Sequence, residues 1–470
     1  MTTEPSATST SSSLVGQHSP NPPVLPDGYH IEEGRLHLHG LDLASLADYW
    51  MTRAGQEDAP LTIRYMPSVR TKFQKARDAF EQATRQTNYP GTVRLAYASK
   101  ANPNHAVIKA AMGAGADYEC SSRVDVSIVR YAIEQGWLTP DRLIIANGFK
   151  TPGYADALIG VAQAGHPGVI PVFDSIEEVQ HFADSGIPLN VGMRYRVSGH
   201  NERFGMDEAE LFETQQLIAE SPNLTLVLFH ALQLFPAIDN PEYVASLENA
   251  IEVFKRLRVC CPSLHWFDVG GGLPTQLAEP DDLQEWMVSI QQMALRHCGM
   301  EHAPDLIIES GRYLTGSHQL EAFKVVKTKV VNGVTYYVLG GGIMSNLPDA
   351  WALGAEFPVA ALNHCDAPYH DVRLAGLTCD PDDVYPPKRD KFVSLPQDAD
   401  GLLVAFLEIG AYQDMLGGEG GAKHCLLSEG ATILIGDDPD YPTRITYQPP
   451  QSIESVLSHL GYGQEPFSAF

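Results

Sequence analysis

A lysine lies at a position where an enzyme of suitable fold would carry out chemistry. Lys100 comes two residues after the strand-like segment Val93–Ala98 and just before a segment with helical periodicity. In a barrel of parallel strands, catalytic side chains lie at the carboxyl ends of the strands. A lysine held there among apolar neighbours can have a lowered pKa and form a Schiff base with a carbonyl compound. A solvated lysine at the end of a strand looks the same, so Lys100 alone does not decide the function.

Two further segments carry residues suited to a phosphate and a charged ring. The segment FDVGGGL places Gly270, Gly271 and Gly272 after a strand, where backbone amides can surround a phosphate. The segment IESGRY places Glu309 at the end of another strand and Arg312 on the loop that follows. Taken one at a time, a tight turn and a structural ion pair explain these residues equally well.

The elements that must position these residues alternate between apolar strands and amphipathic helices. Eight strand-like segments are Val93–Ala98, Ala116–Cys120, Leu143–Ala146, Val169–Phe173, Leu189–Arg194, Thr225–Phe229, Trp266–Val269 and Asp305–Glu309. Strands that are apolar on both faces and are each followed by a helix indicate a parallel sheet. Eight such units predict an α/β fold built on a (β/α)8 TIM-like barrel. An open, doubly wound sheet remains the alternative.

The pattern divides the chain into four regions. Residues 1–26, rich in Ser, Thr and Pro, predict a disordered tail. Residues 27–58 predict short strands that pack with the last region, and residues 59–324 predict the barrel. Residues 325–470 have strand-like segments with Pro- and Gly-rich connections, which predict a mostly β domain.

Composition excludes several classes of function. The formal charge of −26 and the lack of a basic patch argue against nucleic-acid or membrane-surface binding. Seven cysteines without a CxxC spacing fit neither a disulfide framework nor a zinc site, and they favour a reducing, cytoplasmic location. We also find no apolar segment of membrane-spanning length, no signal-peptide pattern, and no HExxH, GxGxxG or GxSxG motif. We therefore expect no metal at the site.

An ordered series of motifs resembles one enzyme family. The segments AYASKAN, GADYECSS, VFDSIEEV, RYRVSG, FHALQ, DVGGG, ESGRY, GLTCDPDD and EIGAYQ occur in this order. The series is similar to that of the fold-type-III pyridoxal-phosphate decarboxylases, which include ornithine, diaminopimelate and arginine decarboxylases. It spans nearly the whole chain after the tail. The resemblance implies an alanine-racemase-like architecture, pyridoxal 5'-phosphate as cofactor and decarboxylation of an amino acid.

The resemblance assigns roles to matching residues. Lys100 would hold the cofactor as a Schiff base, Glu309 would face the pyridine nitrogen, and His230 would stack on the ring. The phosphate would be bound by Gly270, Gly271, Gly272, Arg312 and Tyr412, the last from the β domain. Asp117 and Arg194 match positions that tune the surroundings of the cofactor. Without the motif series, a single histidine such as His230 after an apolar strand is more often a buried core residue than a cofactor contact.

The segment Cys379-Asp-Pro-Asp-Asp carries the remaining chemistry. In the family that this chain resembles, the segment reaches into the active site of the other protomer. Cys379 would return a proton to Cα after CO2 leaves. Asp380 and Asp383 would contact the substrate. Because a complete site then needs both chains, the resemblance implies a homodimer with shared active sites.

Two departures from the family pattern concern phosphate and substrate binding. Gln233 stands where the family has a serine that helps to bind phosphate. The glycine run 340–342 stands where relatives that act on basic amino acids carry an aspartate. Losing one of two carboxylates around a distal ammonium weakens binding by about 1.5–3 kcal/mol. We therefore expect the substrate to be an amino acid or pathway intermediate other than plain ornithine or lysine.

Two alternative functions remain at this level. An amino-acid racemase uses the same barrel, but such enzymes place Arg at the pyridine nitrogen, which Glu309 disfavours. A non-catalytic regulator that pairs with a decarboxylase tends to lose the lysine or the cysteine, whereas Lys100 and Cys379 are both present.

Overall fold

The structure is a computed structural model that describes residues 22–55, 59–197, 203–232, 240–273 and 280–463. The predicted disordered tail lies mostly outside the described residues, as does Gln233.

The chain begins with a small antiparallel sheet and a helix that lie against the second domain. The elements are β1 (Tyr29–Glu32), β2 (Arg35–Leu38), β3 (Leu41–Asp42), α1 (Leu43–Ala54), β4 (Leu61–Tyr65) and α2 (Pro67–Thr87). The Asp42 side chain accepts a hydrogen bond from the Ser45 amide and so caps α1. The Leu36 amide donates to the Leu362 carbonyl at 2.9 Å, and Leu36 shares a buried cluster with strands of the second domain.

Eight parallel strands form a closed barrel. They are β5 (Val93–Ala98), β6 (Asp117–Cys120), β7 (Ile144–Ala146), β8 (Val169–Phe173), β9 (Leu189–Arg194), β10 (Leu224–His230), β11 (Trp266–Asp268) and β12 (Asp305–Ser310). Strand β12 pairs with β5, which closes the barrel and excludes the open sheet. The predicted barrel is confirmed, and each predicted strand ends within one residue of the observed one. The helices are α3 (His105–Gly113), α4 (Arg123–Glu134), α5 (Pro152–Gln163), α6 (Glu178–Asp184), α7 (Glu208–Glu220), α8 (Pro241–Cys260), α9 (Pro280–Cys298) and α10 (Arg312–Thr315).

The barrel interior is layered because alternate residues of each strand point inward. A middle layer of apolar side chains includes Ala96, Ile145, Ile170, Leu228 and Ile307, all buried. Toward the amino ends of the strands, this layer is followed by charged residues. Toward the carboxyl ends lies the polar cluster described below. The apolar layer therefore separates two sets of charges on the same strands.

The second domain is built on a ten-stranded sheet. Its elements are β13 (Gln319–Val331), β14 (Val334–Leu339), α11 (Ile343–Asn346), α12 (Pro348–Leu353), β15 (Val359–Ala361), β16 (Tyr369–Ala375), β17 (Val384–Tyr385), β18 (Val393–Pro396), β19 (Leu403–Phe406), α13 (Gln413–Gly417), β20 (Thr432–Ile435), β21 (Ile445–Gln448) and α14 (Ile453–His459). Strand β4 pairs with β13 and β20 and so lies in this sheet. The prediction that the barrel begins at residue 59 assigns β4 to the barrel, whereas β4 pairs with strands of the second domain. Among the described helices, none combines the length and apolar character needed to cross a membrane.

Candidate active site

Lys100 lies at the carboxyl end of β5, on a single 3-10 turn (Ser99–Ala101). Its Nζ donates a hydrogen bond to Glu119 Oε2 at 2.6 Å, and 46% of its side chain is exposed. Burial on its own lowers the pKa of Lys100, but Glu119 and Glu309 outweigh burial and the net pKa is raised. The pKa of Lys100 is raised rather than lowered, because the neighbours of its ammonium are carboxylates rather than apolar groups.

A single amide joins two carboxylates at the centre of the site. Asn147 Nδ2 donates to Glu119 Oε1 at 3.0 Å and to Glu309 Oε1 at 2.7 Å. All three side chains are buried. Of these three residues, only Glu309 is predicted from the sequence; Glu119 and Asn147 are not. Both missed residues lie at the carboxyl end of a predicted barrel strand, which is the signal that could have found them.

Three ionisable groups, His230, Asp268 and Glu309, meet at the carboxyl ends of the neighbouring strands β10, β11 and β12. His230 Nδ1 lies 3.6 Å from Asp268 Oδ2 and 3.7 Å from Glu309 Oε1. Burial and the charge of Glu309 raise the pKa of Asp268, whereas burial and the charge of Glu119 raise the pKa of Glu309 to about 7. Burial, together with Arg194 and Lys100, holds the pKa of His230 well below its usual range. Neutral His230 can therefore lie against a ring without adding a positive charge.

Arg194, the last residue of β9, also lies near this cluster. Its guanidinium lies 4.8 Å from the centre of the Phe204 ring, and its charge lowers the pKa of His230. The structure therefore places Arg194 close enough to His230 for its charge to act on the ring.

The glycine loop lies against the strand that carries Glu309. The Glu309 amide donates to the Gly270 carbonyl at 2.9 Å. Gly270 and Gly272 have φ values of +78° and +95°, a region that favours glycine. A Cβ on Gly271 would lie 3.0 Å from the Glu309 carbonyl oxygen. The glycine loop therefore packs so closely against the Glu309 backbone that a side chain on Gly271 would have little room.

Arg312 and Tyr412 lie next to the turn that carries Lys100. The Tyr412 amide donates to the Ala101 carbonyl at 2.7 Å, which fixes the second domain to the lysine turn. The Arg312 guanidinium lies 4.8 Å from the centre of the Tyr412 ring. Its Nη2 donates to Asp349 Oδ2 at 3.1 Å. Asp349, which the sequence analysis missed, thus orients Arg312, and no spacing in the sequence signals it.

Asp117 is not part of this site. It begins β6, and it accepts two hydrogen bonds from Arg94 at 2.7 Å each and a third from the Leu143 amide. This ion pair lies at the amino ends of the strands, beyond the apolar layer. The prediction that Asp117 tunes the cofactor is corrected for this reason. Glu119, two residues later on the same face of the strand, occupies the site instead.

The Cys379 segment lies on a loop of the second domain. Cys379 is exposed, and its Sγ lies 3.4 Å from Cys425 Sγ. Asp380 is partly buried and accepts a hydrogen bond from the Asp382 amide at 2.8 Å.

Asp383 is buried, and its carboxylate accepts hydrogen bonds from the Met344 amide, the Thr378 amide and the Thr378 hydroxyl. The predicted substrate contact by Asp383 is corrected, because its oxygens are already bound within the loop and to α11.

The glycine run packs against the same loop. The Leu377 amide donates to the Gly341 carbonyl at 2.9 Å. Gly341 has φ +143°, and a Cβ there would lie 2.9 Å from Phe323 Cε1. A side chain such as aspartate does not fit at Gly341 without a shift of the backbone.

Comparison with known proteins identifies the family. The family model described as pyridoxal-dependent decarboxylase, pyridoxal binding domain, matches residues 68–316, more than half of the chain. The chain belongs to this family. These decarboxylases are of fold type III and are carboxy-lyases that act on amino acids.

Curated relatives of this decarboxylase include two types. It is 26% identical over 441 residues to the diaminopimelate decarboxylase of Synechocystis, covering 89% of each chain. It is 22% identical to the biosynthetic arginine decarboxylase of Deinococcus radiodurans, covering 77% of this chain and 74% of the relative.

Solved structures share the fold of this decarboxylase. The biosynthetic arginine decarboxylase of Campylobacter jejuni has a TM-score of 0.77 at 18% identity, covering 93% of this chain and 89% of that one. The diaminopimelate decarboxylase of M. jannaschii has a TM-score of 0.75 at 17% identity, covering 92% and 97%.

The residues at the barrel mouth fit a pyridoxal phosphate group. Both ring nitrogens of His230, and Oδ1 of Asn147, are buried without a hydrogen-bond partner among the described residues. Buried polar atoms without partners are rare in native proteins and call for a ligand or water. The raised pKa values of Asp268 and Glu309 indicate an excess of acid that a protonated ring nitrogen would relieve. The donor set and the glycine loop therefore suit this cofactor.

Proposed function

We propose that this decarboxylase holds pyridoxal phosphate through Lys100 and removes CO2 from an amino acid or an amino-acid-derived intermediate with a basic or modified side chain. The observation that carries the proposal is the convergence of Lys100 and Glu309 on the Glu119–Asn147 pair. When bound, the protonated pyridine ring withdraws electrons from the bond to the leaving carboxylate.

Glu309 would keep the ring nitrogen protonated. It is buried, and Asn147 holds its Oε1 at 2.7 Å, so its position is fixed before the cofactor binds. A carboxylate at this place favours decarboxylation over racemisation, because it preserves the electron-withdrawing ring. Neutral His230 would lie against the ring face.

The phosphate would be bound by the glycine loop together with Arg312 and Tyr412. Gly270, Gly271 and Gly272 would supply amides, and Arg312 and Tyr412 a cation and a hydroxyl. Asp349 would hold Arg312 in place through the 3.1 Å hydrogen bond.

We infer that Cys379 of one chain serves the site of a second chain in a homodimer. Its thiol is exposed, and its hydrogen bonds among the described residues go to Cys425. The hydrogen bond with Cys425 raises the pKa of Cys379, so the thiol stays protonated, as a proton donor to Cα requires. The seven free cysteines support a reducing, cytoplasmic location.

The substrate proposal rests on the glycine run at 340–342. Gly341 has no room for the aspartate that would meet a distal ammonium. Asp383 is bound within its own loop, which leaves Asp380 as the candidate substrate contact in that segment. We expect poor turnover of plain ornithine and lysine for this reason.

The test of the reaction is CO2 release by the pyridoxal-phosphate-loaded protein. The panel contains arginine, ornithine, lysine, meso-diaminopimelate and smaller acidic amino acids, with Lys100→Ala as the blank. Release that Lys100→Ala abolishes supports the reaction. Efficient turnover of ornithine or lysine would refute the argument from Gly341.

The test of the shared site is a mixture of two inactive variants. Random pairing of Lys100→Ala with Cys379→Ala chains makes about half of the dimers mixed, each with one intact site, so about a quarter of wild-type activity returns. If both residues act within one chain, every site of the mixture lacks one of them and no activity returns. A mixture of Lys100→Ala with Cys425→Ser is the control, because Cys425→Ser alters the hydrogen bond between the two thiols but keeps Cys379.

A further inference from the structure

A polar cavity of about 200 Å³ lies in the second domain, apart from the Lys100 site. Strands β4, β13 and β20 form its floor, and the segment that follows α13 forms its rim. Glu419 lines the cavity and is 42% exposed, so the cavity reaches solvent. The residues of the Lys100 cluster do not line it.

The two cations on the wall already have partners. Arg64 Nη2 donates to Asp414 Oδ2 at 2.9 Å, and its Nε donates to Gln319 Oε1 at 3.0 Å. Lys423 Nζ donates to Asn346 Oδ1 at 2.9 Å and lies 3.7 Å from Glu429 Oε1. Neither cation is within salt-bridge distance of Glu321.

Glu321 is a cavity residue with one carboxylate oxygen that has no hydrogen-bond partner among the described residues. The residue is 6% exposed, and the oxygen without a partner is Oε2. Burial raises its pKa to about 8, which Asp414 reinforces, while Lys423, a hydrogen bond with Thr62 and Arg64 oppose it. A buried carboxylate oxygen without a donor is costly to a fold. Its position on the cavity wall indicates a ligand with a positive charge and N–H donors.

We propose that this cavity binds a small aliphatic primary ammonium, with Glu321 Oε2 accepting a charge-assisted hydrogen bond from it. Four carboxylates line the cavity (Glu321, Asp414, Glu419 and Glu429) against two bases, which gives the wall an excess of acceptors. A single ammonium donates up to three hydrogen bonds and matches this set better than an anion does. Amino-acid decarboxylation yields primary amines, so a reaction product is a natural candidate for the ligand. This identification of the ligand rests on the proposed function, whereas the site itself does not.

The experiment is calorimetric titration of the pyridoxal-phosphate-loaded protein with 1,4-diaminobutane. Glu321→Gln keeps the shape of the side chain and removes its charge. We expect it to weaken binding about ten- to hundred-fold, the range for a lost charge-assisted hydrogen bond. Glu356→Gln, an exposed carboxylate that pairs with Lys391, is the matched control and should leave the affinity unchanged. Equal affinity in wild type and Glu321→Gln would overturn the proposal.

Two further measurements keep the test decisive if Glu321→Gln fails to fold. Binding should release up to one proton below about pH 8, because the ammonium favours ionised Glu321, and the affinity should rise with pH up to that value. Binding that neither releases protons nor depends on pH refutes the site. The amine must also bind to Lys100→Ala, and adding it to the wild type must leave the absorption of the cofactor unchanged. Loss of binding in Lys100→Ala would assign the amine to the Lys100 site instead.

Discussion

The substitution Glu119→Gln tests how the lysine of the site is controlled. Glu119 is fully buried, and its Oε2 accepts the hydrogen bond from Lys100 Nζ at 2.6 Å. Glutamine preserves an acceptor for the Asn147 amide but removes the charge that faces the lysine. We expect the pKa of Lys100 to fall, because Glu119 is the larger of the two carboxylate contributions that raise it.

The size of the change follows from the geometry. An opposite charge at this distance shifts a pKa by about one to three units. Since 46% of the Lys100 side chain is exposed, solvent screens part of the interaction, and we expect about one unit. The neutral amine is the nucleophile that reacts with an aldehyde, so each unit raises its concentration near neutral pH about tenfold.

The assay is the rate at which the apoprotein recombines with saturating pyridoxal phosphate between pH 6 and 10, followed by absorbance and trapped with borohydride. Because the pKa of Lys100 is raised, this range lies below the midpoint, and the limiting rate at each pH is proportional to the fraction of neutral amine. Saturation removes the effect of weaker binding on the rate. Asp117→Asn, on the same face of the same strand, is the control. Equal limiting rates for wild type and Glu119→Gln, or an equal increase in Asp117→Asn, would refute the reasoning.

Three other predictions concern residues that support the site. Asp383→Ala removes three hydrogen bonds from a buried carboxylate and should lower the free energy of unfolding by about 3 kcal/mol in urea titrations. Burial lowers the pKa of His318 from 6.5 to about 4. The unfolded chain therefore takes up a proton that the folded chain does not, and the folded protein loses stability as the pH falls from 6.5 to 4. His318→Gln removes this loss, so the free energy of unfolding of the variant relative to wild type should be about 3 kcal/mol higher at pH 4 than at pH 7. Gly410→Ala places a Cβ 2.1 Å from the Thr315 carbonyl oxygen, which should displace the Tyr412 loop and weaken binding in a cofactor titration.

The barrel could be predicted because its signal is local. Each strand is a short apolar run and each helix repeats its apolar residues at three and four positions, so the sequence specifies both. Strand β4 could not be assigned in this way. It has the same apolar pattern as a barrel strand, but its partners β13 and β20 lie more than 250 residues away in the chain. Pairing between such distant segments leaves no trace in a local pattern.

The site residues that were missed fall into two groups. Glu119, Asn147 and Asp268 lie at the carboxyl ends of predicted strands, so the barrel rule applied strictly would have found them. Asp349 lies in α12 of the second domain and acts by holding Arg312, a contact that depends on how the two domains pack. No spacing between residues 312 and 349 predicts it.

Asp117 and Glu119 show that a motif locates a functional segment more reliably than it identifies the functional residue within that segment. Both side chains point into the barrel, because they are two apart on one strand. Arg94 lies beside the first and Lys100 beside the second, so each carboxylate has a cation and would look equally functional in the sequence. The apolar layer of Ala96 and Ile145 decides between them, since it isolates the Arg94–Asp117 pair from the barrel mouth. A charge below that layer can stabilise the fold but does not reach the barrel mouth, where Lys100 would hold the proposed cofactor.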